Sequence, residues 1–258
     1  MSKDNLTTTT FTTTIPAEKD RSKNVLVIGG TSGYGAGIVN TLKATGYNVI
    51  SSGRSSKSFP CDVTSADSVN NLFQQIKGMG ITLDVVVYSA GKAIGKKRVS
   101  EKDTADFENV FQVNTLGLLS FAKYAYKHLI VSQGHFLHVG SIAHELNYVG
   151  GADYCASKAA SNTIMRTLRH EWLGTGIRTT SLEVGLGDTN FQKNRYKGDT
   201  DQANKHFGAI KQLDPSDLGD MVNFILLAPN HVNVDEVVMK PLDQATHGMA
   251  IDILDIQF

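Results

Sequence analysis

Ser141, Tyr154 and Lys158 are the residues of this 258-residue chain whose types and spacing best suit moving a proton. Tyr154 and Lys158 stand four apart in Tyr-Cys-Ala-Ser-Lys, so on a helix they share a face. A free phenol has a pKa of about 10 and is a poor acid or base at neutral pH. A lysine cation within about 4–6 Å favours the phenolate and draws that value towards the working range. Ser141 lies thirteen residues before Tyr154, after His135-Phe-Leu-His-Val-Gly, an apolar run that reads as a strand. If that strand ends beside the helix, a hydroxyl, a tunable phenol and a cation meet at one point. That arrangement suits proton transfer to or from a carbonyl or carbinol oxygen. Alone, Tyr-x-x-x-Lys is equally an exposed aromatic beside a solvated lysine, so the elements that position the trio carry the argument.

Asn24-Val-Leu-Val-Ile-Gly is a continuous apolar run ending in glycine, the pattern of a buried parallel strand. Gly29-Gly-Thr-Ser-Gly-Tyr-Gly-Ala-Gly follows, and Ile38-Val-Asn-Thr-Leu-Lys-Ala then has helical period up to Gly46. A strand, a glycine turn and a helix N-terminus make an anion site, because backbone N–H groups face outward and missing Cβ atoms admit a pyrophosphate. Tyr47-Asn-Val-Ile-Ser-Ser-Gly-Arg54 is the second strand. It ends without a carboxylate for a ribose 2′-hydroxyl and with a guanidinium available to a 2′-phosphate, which favours NADP(H) over NAD(H). The competing reading of Arg54 is a plain surface-loop residue.

The spacing Gly29-x-x-x-Gly33-x-Gly35 resembles the fingerprint of the short-chain dehydrogenase/reductase family, Thr-Gly-x-x-x-Gly-x-Gly, with Ile28 in place of the threonine. Further motifs continue the resemblance in order over residues 23–243. They are Asp62-Val63, Ala90-Gly91, Asn114 within Phe111-Gln-Val-Asn-Thr, the Ser141–Tyr154–Lys158 set, and Gly185 with Thr189. Tyr88-Ser89 replace the family's paired asparagines, and Val184-Gly185 replace its Pro-Gly. Glu183 has no counterpart in the family's pattern.

The resemblance implies an α/β chain, a single Rossmann-type doubly wound parallel sheet of about seven strands with helices on both faces. Phe59-Pro-Cys-Asp62-Val-Thr would be the third strand, and only seven residues separate Arg54 from Asp62. A parallel crossover takes about a dozen residues, so the β2–β3 crossover must be shortened. By resemblance, Gly29, Thr31, Ser32, Gly33, Tyr34 and Gly35 hold the cofactor's phosphates and Asp62-Val63 border its adenine. Ala90-Gly91 would pack on it, and Gly185 and Thr189 would meet its nicotinamide. Tyr154 is the proton donor, Ser141 polarises the carbonyl, and Lys158 bonds the ribose and lowers the phenol's pKa. Asn114 sits in a helix distortion and orders a relay water.

The implied activity is NADP-dependent interconversion of a ketone or aldehyde and an alcohol. Two other readings stay open: a catalytically silent NADP(H) sensor or structural subunit, and a lyase or dehydratase on the same fold. Asp235-Glu-Val-Val-Met-Lys-Pro is similar to the ending of the family branch acting on small hydroxy acids and sugars. His144, Glu145, Asn147 and Tyr148, between Ser141 and Tyr154, are the expected substrate-pocket residues. Residues 189–213 correspond to the family's substrate loop, whose basic side chains, Arg195 among them, could meet an anionic substrate. The family's usual homodimer or homotetramer would form through helix faces around 105–130 and 152–173.

Composition bounds the rest. Lys plus Arg and Asp plus Glu number 25 each, so no overall field favours nucleic acid or an acidic membrane. Cys61 and Cys155 show no metal-ligand spacing and no disulfide framework, which fits the cytoplasm. No apolar run approaches the roughly 20 residues needed to span a bilayer. Residues 1–22, Thr-rich and without an apolar core, read as a disordered tail ahead of one catalytic domain over 23–258.

Overall fold

The computed structural model describes residues 22–196, 198–199 and 210–245. The expected tail, Ser22 excepted, lies outside the described residues, as do residues 200–209 of the expected substrate loop and residues 246–258.

A six-stranded, wholly parallel sheet organises the described chain. Its strands are β1 (Asn24–Ile28), β2 (Asn48–Ser52), β3 (Val85–Tyr88), β4 (His135–Val139), β5 (Arg178–Val184) and β6 (Glu236–Met239), in spatial order β2-β1-β3-β4-β5-β6. Alternate side chains of β1 enter two different cores, as the pleat requires. Leu26 and Ile28 pack with α2 (Ala66–Gly78), α4 (Gly117–Ser132) and α5 (Ala152–Glu171). Val25 and Val27 pack with α1 (Gly33–Ala44) and α7 (Pro215–Leu226). Helices thus cover both faces. Between β1 and β3 the order reverses direction, and ligands of open α/β sheets bind at the carboxyl ends beside such a switch point.

Helix starts follow from local chemistry. Ser65 caps α2 by accepting from the Ser68 N–H at 3.2 Å. Asp214 and Asp217 form a capping box on α7, with Pro215 where a missing N–H costs nothing. The helix expected over 105–130 is not continuous. It comprises α3 (Thr104–Phe111), a π-helical turn over Gln112–Leu116, and α4. The distortion falls on Asn114, where the family resemblance placed one.

The third strand expected at Phe59–Thr64 does not form, so the described residues hold six strands rather than about seven. Only one bridge, Gly53 to Pro60, pairs this segment with the edge of the sheet. Seven residues cannot carry the chain across a sheet face and back into register. They instead make a tight loop, with Ser52 Oγ donating to the Phe59 carbonyl at 2.7 Å. β2 is consequently an edge strand, only partly buried until Ser52.

Candidate active site

A cleft of about 1140 Å³ opens along the carboxyl ends of β1, β3, β4 and β5. That exceeds the roughly 300–1,000 Å³ of a drug-sized ligand pocket, leaving room for a dinucleotide and a small substrate together. At one end the glycine turn leads into α1, whose N-cap residue Ser32 makes no side-chain cap and whose first turn has no acidic residue. Its first N–H groups therefore remain available to an anion. Gly29 has φ +77°, and a Cβ there would stand 2.8 Å from the Ala90 nitrogen. A Cβ on Gly35 would overlap the Gly29 carbonyl. The turn needs glycine at both places, the first lining the cleft and the second packing the helix beneath it.

Arg54 lies exposed on the cleft wall beside Thr31 and Ser55, whose hydroxyls are 3.1 Å apart. Asp62 accepts from the N–H and hydroxyl of Thr64 at 2.9 and 2.7 Å. These bonds, with smaller contributions from Arg54 and Lys92, hold its carboxyl below the usual range. Val63, Ala90, Gly91, Gly185 and Thr189 all line the cleft, and the Tyr34 hydroxyl reaches 3.5 Å from the Gly185 carbonyl.

The other end holds the proposed chemistry. Ser141 follows β4, Tyr154 and Lys158 project from the first turns of α5, and all three line the cleft. Lys158 Nζ donates to the Val139 carbonyl at 3.0 Å and lies 5.9 Å from the Tyr154 ring centre. Burial pushes Lys158 down to about 8, against the pull of Glu183. Tyr154 departs from expectation. Burial raises its phenol above the ordinary value, outweighing a hydrogen bond from Ser141 and the charge of Arg195, both of which lower it. The phenol therefore keeps its proton at neutral pH, as a donor must.

Asn114 stands behind this trio rather than in the cleft and is fully buried. Its amide donates to the Lys92 carbonyl and to Ser157 Oγ, each at 2.9 Å, and its oxygen accepts from the Lys92 N–H at 2.8 Å. The π-helical turn also frees the Val113 carbonyl, which accepts from the Tyr88 hydroxyl at 2.6 Å. Tyr88, in place of an asparagine, thus retains a polar link at the end of β3.

The expected substrate residues do not line the cleft. A 3-10 turn over Ile142–His144 carries the chain away from it, so His144, Asn147 and Tyr148 border a separate shallow depression, and Glu145 and Asn147 are exposed. His144 turns inward instead, with Nδ1 2.9 Å from the Ser141 carbonyl and 3.3 Å from Glu183 Oε2. Tyr148 packs behind the cleft against Ala93, Ala143, Tyr154 and Cys155 and accepts a hydrogen bond from Arg195.

Three contributors escaped the sequence reading. Glu183 is wholly buried and accepts from Ser141 N–H at 2.6 Å, Asn162 Nδ2 at 2.9 Å and Ser181 Oγ at 2.5 Å. It holds Ser141 from below. Its signal was available: a carboxylate inside an otherwise uncharged strand end is costly unless partnered. Gln244 accepts from the Leu186 N–H at 2.8 Å and lines the cleft beside Gly185, just beyond the recognised motifs. Lys102 is buried in an ion pair with Asp153.

Residues 23–200 match the family model described as short chain dehydrogenase. This chain belongs to the short-chain dehydrogenase family. An NADP-dependent 3-hydroxy acid dehydrogenase of Salmonella typhi is 29% identical over 243 residues, covering 88% of this chain and 98% of that relative. An uncharacterized oxidoreductase of Mycobacterium tuberculosis is 31% identical over 245 residues, covering 88% and 94%. Among solved structures, the closed form of a serine dehydrogenase complexed with NADP+ superposes with a TM-score of 0.83 at 28% identity, covering 88% of this chain and 98% of that one. The glycine turn and the Ser-Tyr-Lys set both line this one cleft.

Proposed function

We propose that this NADP-dependent oxidoreductase interconverts a ketone or aldehyde and an alcohol, with Tyr154 as the acid and base. One observation carries the reading: the phenol, Ser141 and Lys158 converge in the cleft that begins at the glycine turn. The turn, Arg54 and Thr189 would hold the cofactor, which when bound supplies or accepts the hydride. In reduction Tyr154 gives its proton to the carbonyl oxygen while the Ser141 hydroxyl holds that oxygen in place. In oxidation the phenol must give up its proton first, and the nearby charges of Lys158 and Arg195 favour the phenolate. Asn114 fixes the backbone of Lys92 against α5 and keeps the floor behind Lys158 polar. The names of the relatives support small hydroxy acids as the substrate class.

NADPH oxidation against a panel of short carbonyl compounds tests the reading, with Tyr154→Phe as control. Product formed without a change in nicotinamide absorbance would replace it with a lyase. Arg54→Ala should weaken NADPH binding about 10- to 100-fold and leave NADH binding nearly unaltered, the loss of one charge-assisted phosphate contact. Equal weakening of both cofactors in a fluorescence titration would remove Arg54 from the 2′-phosphate.

The enzyme is also proposed to self-associate and to work in the cytoplasm. Phe107, Leu116, Leu119 and Ile130 are exposed apolar side chains on the helical face expected for an oligomer. Leu119→Glu should lower the mass read by light scattering to that of one protomer, and a wild-type protein already at that mass would refuse the assembly. Both cysteines are free, consistent with a reducing compartment. Among the described residues no helix is long and apolar enough to cross a membrane.

A further inference from the structure

Arg195 is a buried cation with no ion-pair partner among the described residues. It ends the short helix α6 (Phe191–Arg195), is 2% exposed, and lines the cleft. Its guanidinium carbon lies 5.2 Å from the ring centre of Tyr154, 5.4 Å from that of Tyr148 and 6.0 Å from that of Phe191. It donates to the Tyr148 hydroxyl and, at 3.5 Å, to Gln192 Oε1. Its Nε is buried with no hydrogen-bond partner among the described residues. The carboxylates that form ion pairs among those residues are taken by other cations: Asp153 by Lys102, Glu183 by His144, Glu236 by His144 and Arg166, and Asp235 by Arg169. Lys96 adds positive charge nearby, 4.9 Å above the Tyr148 ring.

A guanidinium stays charged in proteins, and a charge withdrawn from water without an opposite charge is strongly unfavourable. Aromatic faces relieve part of that burden, but they do not satisfy an N–H in the plane of the fork. A carboxylate does both, because its two oxygens match the geometry of the fork. We infer that Arg195 anchors the carboxylate of the substrate, so that the group turned over at Tyr154 belongs to a short hydroxy acid or keto acid. The inference rests on the hydride-transfer reading above and names the residue that would select within it. The Arg195 carbonyl accepts from the Gly95 N–H at 2.9 Å, which ties α6 to the loop after β3 and holds the anchor over the phenol.

The test compares turnover of 3-hydroxybutyrate and its methyl ester at saturating NADP+ in the wild-type, R195Q and R195K proteins. The wild type should prefer the acid by about 10- to 100-fold in kcat/KM, the size of a charge-assisted contact. R195Q should abolish that preference through KM, and R195K, which keeps the charge and loses the fork, should retain part of it. A wild type that treats acid and ester alike, or an R195Q that keeps the preference, overturns the anchor. Malonate binding to the NADPH complex, read by quenching of nicotinamide fluorescence, gives a second measure that needs no turnover. Binding that is absent in the wild type, or equal in the wild type and R195K, also overturns it, even if R195Q does not fold. Tyr154→Phe separates the two readings: it should bind malonate and lose turnover. Full turnover in that variant would sink the hydride-transfer reading and leave the malonate result to judge the anchor.

Discussion

Replacing Tyr154 with phenylalanine is expected to lower kcat by about 10²- to 10⁴-fold, the contribution of a positioned general acid. The substitution removes one oxygen and keeps the ring, which packs 5.6 Å from Phe191 and beneath Arg195. NADPH affinity and melting temperature should therefore change little, so the loss can be assigned to proton transfer. Absorbance of the nicotinamide under single-turnover conditions is the direct measurement. Burial already holds the phenol protonated at neutral pH. Reduction should thus run without prior ionisation of Tyr154, whereas oxidation should speed up with rising pH as the phenolate becomes accessible. A variant with wild-type rates in both directions would move the acid elsewhere in the cleft.

Glu183→Ala should be the most destabilising of the substitutions considered, by about 3–5 kcal/mol, because it leaves buried partners of a carboxylate without one. The Ser141 N–H, Ser181, Asn162 and His144 all lose this carboxylate together, and Asn162 keeps only Glu236 while His144 keeps the Ser141 carbonyl. Against a typical total of about 5–15 kcal/mol this is a large fraction, readable as a fall in the urea midpoint. Activity should fall as well, since Ser141 is held from below by that carboxylate. Glu183→Gln keeps an acceptor for Ser141 and should recover part of both. The pH dependence follows from the pair itself. Burial pushes Glu183 up, but hydrogen bonds from His144, Ser181 and Asn162 outweigh it and hold the carboxyl down at about 2, against an ordinary 4.5, and Glu183 lifts His144 from 6.5 to about 9. A lowered carboxyl gives stability above about 4.5 that is lost as pH falls towards 2. A raised imidazole gives stability below about 6.5 that is lost as pH rises towards 9. The pair therefore contributes most between those ordinary values, and Glu183→Gln should flatten both flanks of the stability profile.

The parts of the fold and site that were legible in the sequence are those written in short stretches. Gly29 to Gly35 make a tight turn from strand into helix, and Tyr154 and Lys158 share a helical face; neither depends on distant residues. The helix distortion at Asn114 was legible through its place in Phe111-Gln-Val-Asn-Thr. The parts that were not legible depend on contacts between remote segments. Glu183 meets Ser141 across 42 positions, and Arg195 meets Tyr148 across 47. Nearness in sequence also misled. His144, Glu145 and Asn147 follow Ser141 closely, yet after one 3-10 turn none of them lines the cleft. Phe59–Thr64 has strand composition, but its tether to β2 is too short for composition to decide the outcome. The phenol failed in a third way. Proximity to a lysine was visible from spacing, whereas the opposing desolvation appears only once the residue is buried.

The loop that replaces a crossover helix after β2 carries Arg54, and β2 itself is the least enclosed strand on that side of the sheet. Local opening of a protein starts where few apolar contacts resist it. A ligand bound only to the closed form adds RT ln(1 + [L]/Kd) to the work of opening. With Arg54 holding the 2′-phosphate as proposed, cofactor affinity and the integrity of this sheet edge would be linked, and each tenfold rise in free NADP above its Kd would add about 1.4 kcal/mol to the edge's resistance to opening. The bound dinucleotide would then supply at this edge part of the support that a crossover helix gives elsewhere.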